Sequence, residues 1–349
     1  MVDNPSFKIA GRDVGVDFPP LVVAEIGINH EGSLDTAKEM VDAAKRAGIE
    51  VVKHQTHVVE DEMSAEAKKV IPGNSDVSIY EIMERCSLSE AEEVALKNYV
   101  ESKGMIFIST PFSREAANRL NRMGVEAFKI GSGECNNYPL LMHVAKMGKP
   151  VILSTGMNDL LSIRKAVEIF KSHNIPLAIL HTTNLYPTPP HLVRLGAFKQ
   201  MKNEFPDLVV GLSDHTITNH ACFAAVALGA SVLERHFTDR MDREGPDIVN
   251  SMDEHAARDL IVGSQMIWEM RGGIKEAAEE ERVTIDFAFA TVVATKPIEK
   301  GGVLTEDNIW VKRPGKGEIP AEKYYDLIGK RVKRAVSSDE HLEWKDIER

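Results

Sequence analysis

Short runs of β-branched and apolar residues alternate with amphipathic helical segments along most of the chain, beginning at Leu21. Each run is followed by a polar or glycine-containing turn and then by apolar residues at helical spacing. Eight such repeats over roughly 250 residues predict a (β/α)8 TIM barrel rather than an open doubly wound sheet. No G-x-G-x-x-G follows the first run, which argues against a dinucleotide-binding domain. The predicted strands cover residues 21–29, 51–56, 105–111, 127–132, 150–156, 177–183, 208–215 and 232–238.

The pattern changes near residue 272, where glycines precede a densely charged stretch and then short strand-like runs with glycine and proline turns. We therefore predict a TIM-barrel catalytic domain over 1–271, a connector over 272–284 and a small mostly-β domain over 285–349. Within the barrel, the connection from 57 to 88 is long. Because long connections over a barrel mouth are usually functional, we expect this one to take part in the site.

Polar and charged residues gather at the carboxyl ends of the predicted strands, which is where TIM-barrel enzymes place their catalytic groups. A barrel interior filled only for packing would need none of them. Side chains two residues apart on a strand share a face, so Lys53 and Gln55 point the same way, as do Ser213 and His215. The strand-end set is Glu25, Asn29, Lys53, Gln55, Thr110, Lys129, Ser132, Glu134, Asn184, Ser213, His215 and His236.

Two successive strands each finish on a histidine, His215 and His236. Adjacent strands lie roughly 5 Å apart, so the two imidazoles can reach one metal ion. The alternative is that each histidine makes a hydrogen bond at the barrel rim. Two histidines leave a metal's ligand set incomplete, which suits a labile divalent ion with water and substrate oxygens, such as Mn²⁺ or Mg²⁺, with Zn²⁺ or Co²⁺ as further options.

Lys53 and Lys129 are open to three interpretations. An inward lysine can form a Schiff base, bind phosphate or carboxylate, or pair with a barrel glutamate such as Glu25 or Glu134. Two lysines beside hydroxyl and amide donors favour a pocket for a small phosphorylated acid. Glu25 and Glu134 are also acid–base candidates, and Asp247 lies just past the eighth strand, where it can hold sugar hydroxyls or remain a solvated loop residue.

Composition narrows the class of partner. The formal net charge of −11 argues against non-specific binding to nucleic acid or to anionic lipid. No apolar run is long enough to span a membrane, and the first residues lack a signal-peptide pattern. The three cysteines have no metal-binding spacing and indicate reduced thiols. We therefore expect a cytoplasmic protein that acts on small molecules.

Several motifs together resemble the N-acetylneuraminate (sialic acid) synthase family. They are AEIGINHEGSLDTAKEMVDAAKRAGIEVVKHQTH, STPFS, FKIGSGECNNYPLL, LSTGM, NLYPTP, GLSDHT and LERHFTDR, in that order. The tail, with DNIWVKRPGKG, resembles that family's antifreeze-protein-like (SAF) domain. The resemblance runs from about Val22 to the C-terminus and implies condensation of phosphoenolpyruvate with N-acetylmannosamine and water, giving N-acetylneuraminic acid and phosphate.

The resemblance also implies a role for each site residue, a divalent metal that is commonly Mn²⁺, and a domain-swapped homodimer. Metal binding falls to His215 and His236, and acid–base work to Glu25 or Glu134. In the dimer, Arg313 would reach the partner chain's site. Phosphoenolpyruvate would be bound by Lys53, Thr110, Lys129, Ser132, Asn184 and Ser213, and the sugar would be surrounded by Gln55, Asn74, Glu134, Tyr186 and Asp247.

Three rivals remain open at the level of sequence. A sister synthase would make legionaminic or pseudaminic acid from a 2,4-diacetamido hexose with the same barrel chemistry. A Schiff-base aldolase would use Lys53 or Lys129 as its nucleophile. A non-enzymatic binding protein would recognise the sugar or acid and release no phosphate.

Overall fold

The computed structural model describes residues 4–71, 76–245 and 247–348. The chain divides into two compact units, residues 1–272 and 273–349. No helix in these described ranges is long and apolar enough to cross a membrane.

An antiparallel hairpin opens the first unit, formed by β1 (Ser6–Ile9) and β2 (Arg12–Gly15). Its two inward residues, Ile9 and Val14, belong to the same buried apolar cluster as Val23 and Ile108 of the barrel interior. The hairpin therefore closes the amino-terminal end of the barrel. The sequence reading assigned no element to this stretch, because four-residue strands joined by a two-residue turn carry little periodic signal.

Eight parallel strands close into a barrel in the order in which they follow one another along the chain. This confirms the predicted fold class, with strands somewhat shorter than the sequence suggested. The strands are β3 (Leu21–Glu25), β4 (Val51–Thr56), β5 (Ile106–Pro111), β6 (Phe128–Ile130), β7 (Val151–Ser154), β8 (Leu177–Thr182), β9 (Val209–Asp214) and β10 (Val232–His236).

Helices cover the outside of the barrel, and local sequence explains where they begin and end. The Ser33 side chain caps the first of them, and Gly48 ends it in a left-handed conformation that costs glycine little. Ser78 and Ser89 start two others with capping boxes. The helices are α1 (Leu34–Ala47), α2 (Val59–Glu62), α3 (Ile79–Cys86), α4 (Glu90–Ser102), α5 (Arg114–Met123), α6 (Tyr138–Ala145), α7 (Leu160–Ser172), α8 (Leu195–Glu204), α9 (His220–Ala227) and α10 (Glu254–Met270).

Two apolar layers hold this unit together. Outward residues of the strands, such as Val22 and Val52, pack against buried helix residues such as Met40 and Leu96. Inward residues near the strand starts form the separate cluster that the hairpin covers. At the strand ends the interior turns polar. The long connection predicted over 57–88 contains α2, a 3-10 turn (Ala65–Lys69) and α3.

The second unit has its own small core, which includes Val292, Leu304, Ile309 and Leu342. Its regular elements are few and short, and isolated bridges complete the strand pairing. Exposed residues occupy most of its first segment, where a connector was predicted. The elements are α11 (Arg282–Ala288), the antiparallel pair β11 (Thr291–Ala294) and β12 (Ile309–Lys312), and α12 (Tyr324–Leu327).

Candidate active site

A cavity of about 330 Å³ lies at the carboxyl ends of the barrel strands. Its volume falls at the lower end of the range for small-molecule sites. A larger cavity, about 980 Å³, lies at the opposite end beside Lys202 and Trp268, away from the strand-end residues. The smaller cavity is lined by eleven of the residues predicted from sequence: Lys53, Gln55, Thr110, Lys129, Ser132, Asn184, Tyr186, Ser213, His215, His236 and Asp247.

Four predicted residues in the described part of the chain do not line this cavity: Glu25, Asn29, Glu134 and Arg313. Glu25 is fully buried behind Lys53 and Gln55, and its carboxylate contacts both of them. Glu134 sits in a 3-10 turn (Ser132–Glu134), where it accepts a hydrogen bond of 2.5 Å from Asn137. Arg313 is an exposed residue of the second unit, directly after β12. Asn74 lies outside the described residues.

Glu234 on β10 is the charged centre of the cavity floor. Its Oε1 lies 3.0 Å from Lys53 Nζ and 3.3 Å from Lys129 Nζ, and it accepts a hydrogen bond of 3.2 Å from Ser213 Oγ. Lys129 also donates to Ser154 Oγ at 2.8 Å. Both lysines therefore have a carboxylate partner, as one of the three interpretations of the sequence anticipated.

Electrostatics at this cluster follow from burial. Burial lowers the pKa of Lys53 to about 7, although Glu234 opposes that shift. Burial also disfavours the Glu234 carboxylate, yet Lys129 and Lys53 together hold its pKa below the usual range. Because Glu234 Oε2 has no hydrogen-bond partner among the described residues, the cluster retains unused polar capacity inside the cavity.

His215 and His236 lie side by side, with ring centroids 5.3 Å apart. Burial lowers the pKa of His215 to about 4 and that of His236 to about 3, so both rings are neutral at pH 7. His215 Nδ1 is 2.8 Å from the Thr183 carbonyl, to which it must donate, and this leaves Nε2 with a free lone pair. His236 Nδ1 is 3.5 Å from Asp247 Oδ2 and makes no hydrogen bond in the described structure.

These properties fit a metal site with few protein ligands. Neutral imidazole is the ligating form, and a ring nitrogen that donates to a carbonyl orients the other nitrogen. In the described ranges no group of three or more histidine, cysteine, aspartate or glutamate residues surrounds a possible ion. Water and substrate oxygens would have to supply the remaining ligands, which favours a labile ion such as Mn²⁺.

Hydroxyl and amide groups surround the lysines. Thr110 Oγ1, which can donate, and Asn184 Oδ1, which can only accept, are buried without a partner in the described part of the chain. Ser132 Oγ accepts from the Gly156 amide at 3.0 Å. A Cβ atom at Gly156 would lie 1.8 Å from Asn184 Oδ1, so only glycine lets this turn approach so closely. A floor with two ammonium groups and several such donors suits an anionic substrate.

The opposite wall of the cavity is mixed. His57 contacts Gln55 Oε1 at 3.2 Å and Glu62 at 2.8 Å, and its ring stacks on Phe112. Beside them α3, from the long connection, contributes apolar side chains, as expected of a connection that takes part in the site. The apolar wall consists of Ile28, Ile79, Ile82 and Met83.

The analysis of the sequence missed Glu234 and Ser154 as site residues. Both line the cavity, and both could have been predicted from the strand pattern. Glu234 lies two residues before His236 and shares its face of the strand, and Ser154 is the last residue of β7. Alternation could not show that Glu234 would take both lysines, because that depends on barrel closure bringing β10, β4 and β6 around one point.

Comparison with known proteins agrees with this geometry. The NeuB family model matches residues 40–276 and the SAF domain model matches residues 289–348. An uncharacterized protein of Methanocaldococcus jannaschii is 39% identical over 97% of this chain and 98% of its own. The N,N'-diacetyllegionaminic acid synthase of Campylobacter jejuni is 36% identical over 92% of this chain and 98% of its own.

A solved structure is similar as well. The N-acetylneuraminic acid (sialic acid) synthetase of Leptospira borgpetersenii, crystallised with citrate, superposes with a TM-score of 0.74 at 28% identity. The match covers 81% of this chain and 95% of that one. Because a family model covers more than half of the chain and full-length relatives exceed 30% identity, the resemblance inferred from the motifs is confirmed. This chain belongs to the NeuB family of sialic-acid-type synthases and carries a SAF domain at its carboxyl end.

Proposed function

We propose that the protein condenses phosphoenolpyruvate with N-acetylmannosamine and water to give N-acetylneuraminic acid and phosphate. The observation that carries the proposal is one cavity that holds two buried lysines, hydroxyl groups that include the unpartnered Thr110, and two neutral histidines side by side. This arrangement suits an anionic three-carbon acid that reacts with an aldehyde polarised nearby.

Phosphoenolpyruvate binds at the floor of the barrel in this proposal. Lys53 and Lys129 offset the charges of its carboxylate and phosphate, while Thr110, Ser132, Asn184, Ser213 and Ser154 donate or accept hydrogen bonds. The substrate competes with Glu234 for the two ammonium groups. Since the lysines already face the cavity, little reorganisation accompanies binding.

The sugar occupies the upper part of the cavity, near Gln55, Tyr186 and Asp247, with Asn74 and Glu134 as further neighbours. His215 and His236 would hold Mn²⁺, or Mg²⁺ or Co²⁺ in its place. Such an ion, when bound, supplies a Lewis acid that polarises the open-chain aldehyde. The active species in this proposal is a homodimer in which Arg313 of one chain contacts the N-acetyl group in the other chain's site.

The reaction then forms one C–C bond and breaks one C–O bond. C3 of phosphoenolpyruvate attacks the aldehyde carbon, whose oxygen becomes a hydroxyl. Water adds to the cationic C2, and the tetrahedral intermediate releases phosphate with its bridging oxygen. Glu25 or Glu134 takes one proton from the attacking water and passes a proton to the former aldehyde oxygen. The second proton of the water leaves with phosphate when C2 becomes the ketone. Burial raises the pKa of Glu134, which favours it as a base near neutral pH.

A second candidate is a sister synthase that takes a 2,4-diacetamido-6-deoxy hexose. The apolar wall of Ile28, Ile79, Ile82 and Met83 supports it, because a methyl group packs well there, whereas a buried hydroxyl without a partner costs about 1–3 kcal/mol. The 36% identity to a legionaminic acid synthase points the same way.

The test is phosphate release from phosphoenolpyruvate with Mn²⁺ and a panel of sugars: N-acetylmannosamine, 2,4-diacetamido-6-deoxy hexoses, mannose and no sugar. Release only with N-acetylmannosamine supports the first candidate, and release only with a diacetamido sugar supports the second. No release with any sugar overturns the proposed function. Borohydride reduction in the presence of pyruvate separates the Schiff-base rival, which alone would label Lys53 or Lys129 covalently.

A further inference from the structure

A chain of buried polar residues runs behind the site, on the outer side of β4. Arg119 on α5 donates to Glu93 Oε2 at 3.3 Å. Glu93 Oε1, on α4, faces His54 Nδ1 at 3.8 Å, and His54 Nε2 lies 3.2 Å from His30 Nε2. Glu93, His54 and His30 are all at most 1% exposed. Packing alone would favour apolar side chains at these positions, because each buried polar group costs free energy unless it is paired.

The hydrogen bonds fix a direction along this chain. The Gly32 amide donates to His30 Nδ1 at 3.2 Å, so a neutral His30 carries its proton on Nε2 and donates it to His54 Nε2. A neutral His54 must then carry its proton on Nδ1, the nitrogen that faces Glu93. Burial lowers the pKa of His30 to about 4 and that of His54 well below its usual value, so both rings are neutral. At 3.8 Å, His54 Nδ1 and Glu93 Oε1 face each other without a hydrogen bond, and neither atom has a hydrogen-bond partner in the described ranges.

The far end of the chain holds the turn between β3 and α1, residues 26–33. A Cβ atom at Gly27 would lie 2.3 Å from Glu25 Oε1 and 2.9 Å from Gln55 Nε2, so this turn sets how far both side chains reach. Ile28 lines the cavity directly. Asn29 Nδ2 donates to the Phe237 carbonyl at 3.0 Å and to Ser251 Oγ at 2.9 Å.

Ser251 continues this connection to the loop that carries Asp247. Its hydroxyl donates to the Asp247 carbonyl at 2.7 Å, and Asp247 in turn faces His236. The turn 26–33 therefore contacts the sugar end of the cavity and, through Ser251, the loop whose Asp247 faces His236. The lysine floor is held mainly from other strands, by Glu234, Ser154 and Ser213, and Lys53 also contacts Glu25, the last residue of β3 before the turn.

We infer that Glu93, acting through His54 and His30, positions the turn 26–33 and thereby shapes the sugar end of the cavity. The three residues are positioning residues, since none of them lines the cavity in the described structure. The assignment to sugar binding rests on the function proposed above, whereas the tautomer assignment does not. Loss of the link should affect the sugar more strongly than phosphoenolpyruvate, because the lysine floor meets the turn only through the contact of Lys53 with Glu25.

The experiment compares His54→Leu with His54→Gln. The glutamine amide can place an oxygen near the former Nε2 position and accept from His30, whereas leucine cannot. We expect His54→Leu to raise the KM for the sugar by about tenfold, typical of losing an outer-shell contact, and to change the KM for phosphoenolpyruvate much less. His54→Gln should restore most of the loss. If the leucine variant does not fold, Glu93→Ala leaves both rings in place and is expected to show the same selective rise.

His181→Leu is the matched control. His181 is also a buried histidine on the outer side of a barrel strand, but it bonds only the Val193 carbonyl, at 2.7 Å. The control should lower the Tm without changing the ratio of the two KM values. Equal KM effects of leucine and glutamine at position 54, or a parallel rise of both KM values, would overturn the inference.

A second readout does not depend on catalysis. Nitrogen-15 NMR of labelled histidine should show His30 protonated at Nε2 and His54 protonated at Nδ1 in the ligand-free protein. Finding His54 protonated at Nε2 would refute the chain. If the protein released no phosphate with any sugar, the proposed function would fail while this tautomer result would stand by itself.

Discussion

The carboxylate of Glu234 is the common partner of the charged groups at the floor of the site. A single oxygen of this residue receives Lys53, Lys129 and Ser213. An anionic substrate must replace Glu234 as the acceptor of these hydrogen bonds. The same two ammonium groups therefore pair with Glu234 in the free protein and with the substrate in the complex. Glu234 therefore opposes the effect of burial on the pKa of Lys53 and holds both lysine side chains in place until the substrate arrives.

Replacing Glu234 by Gln should separate these two roles. The variant leaves two buried ammonium groups close together with less compensation, and breaking such a pairing costs about 3–5 kcal/mol. We expect a clearly lower Tm without ligand and a larger rise in Tm on adding phosphoenolpyruvate than in the unmodified protein, because the ligand then supplies the missing negative charge. Differential scanning fluorimetry measures both.

Glu93→Gln is the control for this prediction. It also removes a buried carboxylate from the first unit, but from α4 and away from the lysines. Its Tm shift with phosphoenolpyruvate should equal that of the unmodified protein. An equal shift in the Glu234 variant would argue against an anion site at the floor.

The histidine pair makes a prediction about metal. Removing one of two protein ligands should weaken Mn²⁺ binding strongly, so His236→Ala is expected to raise the Kd for Mn²⁺ by at least about tenfold. Electron paramagnetic resonance of free Mn²⁺ measures this without substrates. His143→Ala, which removes a partly buried ring that bonds Asn118, should leave the Kd unchanged. Full phosphate release by the His236 variant in metal-stripped buffer would exclude the metal role.

At the scale of elements, the positions of the strands could be predicted from the sequence, but the contacts between helices and strands could not. Short β-branched and apolar runs located all eight barrel strands, and their polar ends indicated the cavity, because a barrel gathers strand ends at one rim. Glu93 and His54 gave no such signal. They belong to a helix and to the outer face of a strand, and only packing of α4 on β4 brings them together. The apolar wall of α3 likewise depends on how the long connection folds back.

Burial of Glu93 on α4 predicts a dependence of stability on pH. Burial raises the pKa of this carboxyl to about 7, although Arg119 opposes the shift. His54, Thr56 and Glu90 are its other neighbours. The unfolded chain loses the proton near pH 4.5, whereas the folded protein keeps it up to about pH 7. Stability therefore falls as pH rises through this window and then levels off.

The measurement compares urea unfolding of the unmodified protein and Glu93→Gln at several pH values. Relative to the unmodified protein, the variant should gain stability between pH 4.5 and pH 7, on the order of 3 kcal/mol, because glutamine has no proton to release. Glu234→Gln is not expected to gain stability over this range. A constant difference between the two proteins would mean that Glu93 is ionised throughout.

At the scale of the whole molecule, the chain joins a barrel that contains most of the site to a separate unit that contains Arg313. The proposed dimer gives that unit a task in the partner's site. This arrangement can be tested without knowing how the units pack. If one chain carries a substitution in the barrel and the other a substitution in the second unit, activity can return only when the two chains share a site across the dimer.

The test uses heterodimers of His236→Ala and Arg313→Ala chains, purified through two affinity tags. Each parent should be impaired in phosphate release. In the heterodimer, the barrel with an intact His236 receives the tail with an intact Arg313, so about half of the unmodified activity should return. Activity no higher than the mean of the two parents would show that each tail serves its own barrel.

The hairpin of β1 and β2 affects the order in which substrates bind and products leave. Because Ile9 and Val14 close the amino-terminal end, substrates would reach the cavity from the rim at the carboxyl ends of the strands, where Tyr186 and Asp247 lie. In the proposed arrangement, the acid must enter ahead of the sugar, and phosphate formed at the floor must wait until the larger product has departed. Steady-state kinetics should then be sequential and ordered, with phosphate competing only against the first substrate.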